Sequence, residues 1–173
     1  MRTRRLLITL SVVVLALPLE AASAATLLRA NGIGPLKIGM TRAAAVNTGW
    51  LAHPGLGCEL AGSNRPYTYQ LNGPNAPRGL RGSVEFARRT GRLRTVNVTG
   101  GVRTAVGVVV NQTTTAQMVR KYRAAGFAAS ARYDSTFQGT FVNVRRNGRQ
   151  VFQAFAQRQV IGTLAIPFVP VCE

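Results

Sequence analysis

The chain opens on a dense apolar run and then settles into short segments of changing period. Leu6 to Leu17 is apolar apart from Thr9 and Ser11, and Pro18 closes it. Arg2, Arg4 and Arg5 precede the run and Ala22-Ser23-Ala24 follows it. A charged start, a short apolar middle and a small-residue site make a secretory leader, so residues 1–24 are expected to be removed before Ala25. A run of about 12 residues is shorter than the roughly 20 that span a bilayer. Retained, it would serve as an N-terminal anchor. No later segment is long and apolar enough to cross a membrane. The remainder is therefore expected outside the cytoplasm, secreted or associated with the cell envelope.

Beyond the leader the pattern repeats. An apolar stretch leads through Gly39-Met40 to Thr41, and Arg42-Ala43-Ala44-Ala45-Val46 follows. A second apolar stretch, Val106 to Val110, leads through Asn111-Gln112 to Thr113 and a longer helical segment. Thr41 and Thr113 suit the helix N-cap, where a hydroxyl accepts a free backbone N–H. Gly39 and Asn111 are residue types that tolerate a left-handed backbone. The second helix is expected from Thr115 to Ala125, with Met118, Val119 and Tyr122 on one face and Gly126 ending it.

Each helix is followed by hairpin signals. Asn147-Gly148 between Thr140–Arg145 and Gln150–Ala156 has the residues of a type I′ turn. Thr90-Gly91 lies between Ser83–Arg88 and Leu93–Thr99, and further strands are expected at Tyr67–Leu71 and Val160–Ile166. Arg88-Arg89-Thr90-Gly91-Arg92 thus parallels Arg145-Arg146-Asn147-Gly148-Arg149. The helix starts are offset by 72 residues and the hairpin glycines by 57, so about 15 extra residues are assigned to the first copy within His53–Gly82. The expected fold is α+β, two short helix-plus-antiparallel-sheet repeats over residues 25–101 and 102–173.

The segment Leu36-Lys37-Ile38-Gly39-Met40-Thr41 before a short helix resembles the "G-M-T" opening of the superfamily that holds beta-lactamase-inhibitor-protein-like proteins and small outer-membrane assembly lipoproteins. Val102-Arg103-Thr104 before Gly107-Val108 is similar to a feature of small secreted actinobacterial proteins. The resemblance implies helices packed on an antiparallel sheet, in tandem, and a binding role without catalysis. The second copy departs from the motif at Asn111-Gln112, and no lipid-attachment cysteine is present. The resemblance does not carry inhibitor activity over, because this chain is basic and poor in aromatic and acidic residues.

Charge changes the picture most. The chain has 22 Lys+Arg against 5 Asp+Glu, a net +17. The leader takes three arginines and Glu20, leaving 19 against 4, a net +15. Lys37 and Lys121 are the two lysines. Such a field draws polyanions and acidic surfaces, and arginine is the better fork for phosphate or carboxylate. The same charge would also serve solubility alone. Arg88, Arg89, Arg92 and Arg94 gather at one turn and Arg145, Arg146 and Arg149 at the other. These are the candidate binding residues, for an anionic envelope polymer or an acidic exported protein. Export makes nucleic acid a poor physiological partner.

Cys58 and Cys172 are the two cysteines. In an exported chain an even pair reads as a disulfide. A metal or redox pair is the rival, and it lacks close C-x-x-C spacing. Catalytic signals are sparse. His53 is the one histidine, no G-x-S-x-G elbow exists, and only Glu59, Glu85, Asp134 and Glu173 follow the leader. A small hydrolase using His53 is the alternative function, and a structural envelope protein without a dedicated ligand is another. Metal and cofactor sites are not expected. Glu85 falls within a strand, where an arginine across the hairpin would pair with it.

Overall fold

The computed structural model describes residues 25–172. The leader reading lies outside these residues. Along the chain come β1 (Thr26–Arg29), β2 (Gly32–Ile33), β3 (Leu36–Lys37), α1 (Arg42–Val46), β4 (Ala52–Leu56), β5 (Tyr67–Gln70), β6 (Arg81–Phe86) and β7 (Leu93–Gly100). The second half supplies β8 (Val102–Thr104), α2 (Thr115–Ala124), β9 (Ala128–Asp134), β10 (Gly139–Arg146), β11 (Arg149–Gln157) and β12 (Val160–Ile166). A turn of 3₁₀ helix, Glu59–Asn64, joins β4 to β5.

The fold is α+β. Eight antiparallel strands form one sheet in the order β4-β5-β6-β7-β12-β11-β10-β9. Each half contributes a helix and then a four-stranded meander, and the meanders meet where β7 pairs with β12. A smaller sheet has the order β3-β2-β1-β8, with β1 and β8 parallel. Helices, small sheet and one face of the large sheet share one apolar core, from Leu28 and Leu36 through Val84, Phe86 and Val96 to Met118, Phe152 and Leu164.

The internal repeat recurs in backbone contacts. The Gly39 N–H donates to the Leu93 carbonyl at 2.7 Å, and the Asn111 N–H donates to Ile161 at 2.7 Å. Leu93 N–H donates to Met40 at 2.8 Å, and Ile161 N–H donates to Thr113 at 2.9 Å. Arg42 N–H reaches Gly91 at 2.9 Å, and Thr115 N–H reaches Gln159 at 2.8 Å. Gly39 and Asn111 both hold the expected left-handed backbone, at φ 87° and 65°.

These contacts correct the hairpin alignment. Thr90-Gly91 joins the third and fourth strands of its meander, whereas Asn147-Gly148 joins the second and third. The counterpart of the first turn is Arg158-Gln159, both with positive φ. The two different offsets arose from matching unlike turns of similar composition. The N-cap also moves by one residue. Thr114 caps α2 in a capping box with Gln117, while Thr113 is buried and its hydroxyl accepts from the Val109 N–H at 2.9 Å.

Tyr122 anchors α2. Its ring lies 5.4 Å from both Phe127 and Phe152. Burial pushes its phenol from 10.0 to about 12, against a smaller opposing effect of the Thr104 hydroxyl. No partner meets hydrogen-bond geometry at the phenol oxygen. As pH rises from 10 to about 12 the unfolded chain deprotonates first, so stability falls through that window. Tyr122→Phe is expected to abolish this fall. At neutral pH it should cost less than about 1 kcal/mol, because it removes an unpaired buried polar group. Denaturant titrations of both proteins at several pH values measure the difference.

Candidate functional site

The strand order decides where the arginines stand. Starting from the turn Ala87–Arg92, β7 runs away from one end of the sheet. Antiparallel β12 returns to that end, and β11 leaves it just after Asn147-Gly148. Both arginine-bearing turns therefore project from the same end of the sheet. The β4–β5 loop with Cys58 and the tail after β12 meet there too. The disulfide Cys58–Cys172 joins them, with Cα atoms 5.4 Å apart.

Within the first cluster the arginines divide. The Arg92 guanidinium donates to the Gly39 carbonyl at 2.8 Å, tying β7 to the loop before α1. Arg94 donates to the buried Glu85 carboxylate at 2.9 Å and 3.2 Å, the cross-hairpin pair expected from the sequence. Arg89 is exposed. Arg88 lies over the Tyr67 ring, its guanidinium carbon 4.4 Å from the ring centre, and Arg42 of α1 lies over the same ring at 4.2 Å. Sequence reading missed Arg42. It stands far from Arg88 in sequence; the Arg42 N–H bond to the Gly91 carbonyl at 2.9 Å and the β5–β6 pairing of Tyr67 with Phe86 bring them together.

The second cluster is looser. Arg146 sits 5.4 Å over Phe127. Arg145 bonds Gln150 weakly at 3.5 Å, and Arg149 is exposed.

Acids are scarce and already committed. Glu59 pairs with Arg65 at 3.6 Å and Glu85 with Arg94. Asp134 accepts from the N–H groups of Thr136 and Phe137. Among the described residues no acid is within ion-pairing distance of Arg42, Arg88, Arg89, Arg145, Arg146 or Arg149.

The sheet face turned from the helices carries Ser83, Asn97, Gln153 and Asn143 in register. The tail crosses part of it, with the Val169 N–H donating to Gln153 at 2.8 Å. A depression of about 550 Å³ lies beside the disulfide, between Leu60, Arg94, Phe168 and Val171. Leu60 is 69% exposed, Phe168 41% and Val171 43%.

His53 is exposed on edge strand β4, at a register shift and with φ 49°. Among the described residues its imidazole makes no side-chain hydrogen bond. Trp50 packs against the core. No helix of the described residues is long and apolar enough to cross a membrane.

Compared with protein-family models, curated proteins and solved structures, the chain matches none.

Proposed function

We propose that the protein is an exported, non-enzymatic binding module of the cell envelope, and that its arginine-rich sheet end engages an anionic polymer. The observation that carries this reading is the gathering of two arginine turns at one end of the large sheet, with the described acids committed elsewhere. The resemblance to a superfamily of tandem helix-sheet binding proteins agrees with it.

The test is binding of the purified mature protein to isolated envelope material across a salt series, with DNA and an acidic protein as controls. Selective binding that persists at physiological salt is expected. Arg145→Gln, Arg146→Gln and Arg149→Gln together should weaken it and flatten the salt slope by about one for each arginine that meets an anionic group. Equal binding to every polyanion, lost steeply with salt, would leave the charge without a dedicated ligand.

A second reading is favoured by the exposed Leu60, Phe168 and Val171 beside Arg94. An exposed apolar patch rimmed by charge suits a protein partner, here an acidic exported one. Leu60→Asp would abolish such a contact and leave polymer binding intact.

A further inference from the structure

The pair of guanidiniums on Tyr67 goes beyond the surface charge of the turns. We infer that Arg42, Tyr67 and Arg88 form a seat for one phosphate group of a phosphodiester polymer. The inference rests on the envelope-binding reading and names the anion it takes.

Three observations converge. Two guanidinium carbons lie 4.2 Å and 4.4 Å from one ring centre. Their charges therefore stand within about 9 Å of each other, inside a Debye length at low salt. Like charges so placed repel, and an anion within reach of both guanidiniums offsets the repulsion. Stacking on the ring uses the faces of the guanidiniums and leaves their N–H edges free. Among the described residues neither side chain has a hydrogen-bond or ion-pair partner. Finally, the pair opens on a shallow depression of about 580 Å³ that Thr41, Thr90 and Gly91 also line.

The directions of the forks select the ligand. A carboxylate presents its two acceptor oxygens in one plane. A phosphodiester also has two unesterified oxygens, but they are set around a tetrahedral centre and accept from two guanidiniums that do not share a plane. The open depression lets a linear chain enter and leave on either side of the bound group.

The test measures affinity for a glycerol-phosphate oligomer, for polygalacturonate as a carboxylate polymer, and for vesicles of anionic phospholipid. Arg42→Gln with Arg88→Gln is expected to weaken oligomer binding about tenfold or more and to leave polygalacturonate binding within about twofold. The paired Lys variants keep charge and lose the fork, so they should recover only part of the affinity. They also stand in if the Gln protein fails to fold by circular dichroism. Equal losses on both polymers would reduce the pair to generic charge and overturn the seat. Oligomer affinity unchanged in the double variant would overturn it as well, and if the Arg145, Arg146 and Arg149 variant then loses envelope binding, the broader reading stands alone. Failure of every variant to change binding removes both. Binding to vesicles without binding to the oligomer would place the phosphate in a membrane and reject the polymer.

Discussion

Replacing Cys58 and Cys172 together by serine is expected to lower folding stability by about 5 kcal/mol. The bridge closes a segment of 114 residues. Joining such distant points restricts the unfolded chain severely, and chain-entropy reasoning scales that restriction with the logarithm of loop length. Domains of this size have net stabilities of roughly 5–15 kcal/mol, so much of the total is at stake. The tail would also lose one of its two described anchors, leaving the Val169–Gln153 hydrogen bond. Guanidinium unfolding of the two proteins gives the number. A loss below about 1 kcal/mol would mean that the reduced, unfolded chain already keeps the tail near the β4–β5 loop.

Arg94→Met should cost about 3 kcal/mol, since it strands a carboxylate that keeps only 8% side-chain exposure. Arg94 itself is 43% exposed, which puts the loss at the lower end for a broken buried pair. Arg94→Met with Glu85→Leu should recover most of it, because neither charge is then left alone. The double-mutant cycle also decides how Arg94 is used. A loss below about 1 kcal/mol would return Arg94 to the set of arginines open to a ligand.

How much of this was legible in the sequence depends on where each signal lies. Val160–Ile166 was bounded correctly from its apolar pattern, and the hairpin around Asn147-Gly148 from the positive φ that its turn requires. The disulfide followed from cysteine count and compartment. β9 was not seen, because Ala128–Asp134 is an edge strand and mostly exposed, so alternation has little to act on. β4 was hidden by His53-Pro54-Gly55. The candidate arginines could be named, but not sorted. Arg92 and Arg94 turn inward to a carbonyl and a carboxylate, and Arg88 shares a ring with a residue of α1. The Arg94–Glu85 pair is local to one hairpin, whereas the other two contacts reach back to the first helix and the residues before it. What brings the two arginine turns to one end is the β7–β12 seam, which no stretch of either half announces.

That seam has a further consequence. At the middle of the large sheet the last strands of the two meanders pair antiparallel, and in the small sheet the opening strands β1 and β8 pair with each other. Like strands meeting across a boundary are what two separate copies of one half would form as a symmetric dimer. Duplication and fusion of such a gene would leave this arrangement, converting a concentration-dependent association into an intramolecular one. Gly91 and Gln159 make the same backbone contact, but Arg88, Arg89 and Arg92 flank the first turn where the second carries Arg158 alone. Matching turns of a nearly palindromic sheet thus differ in charge.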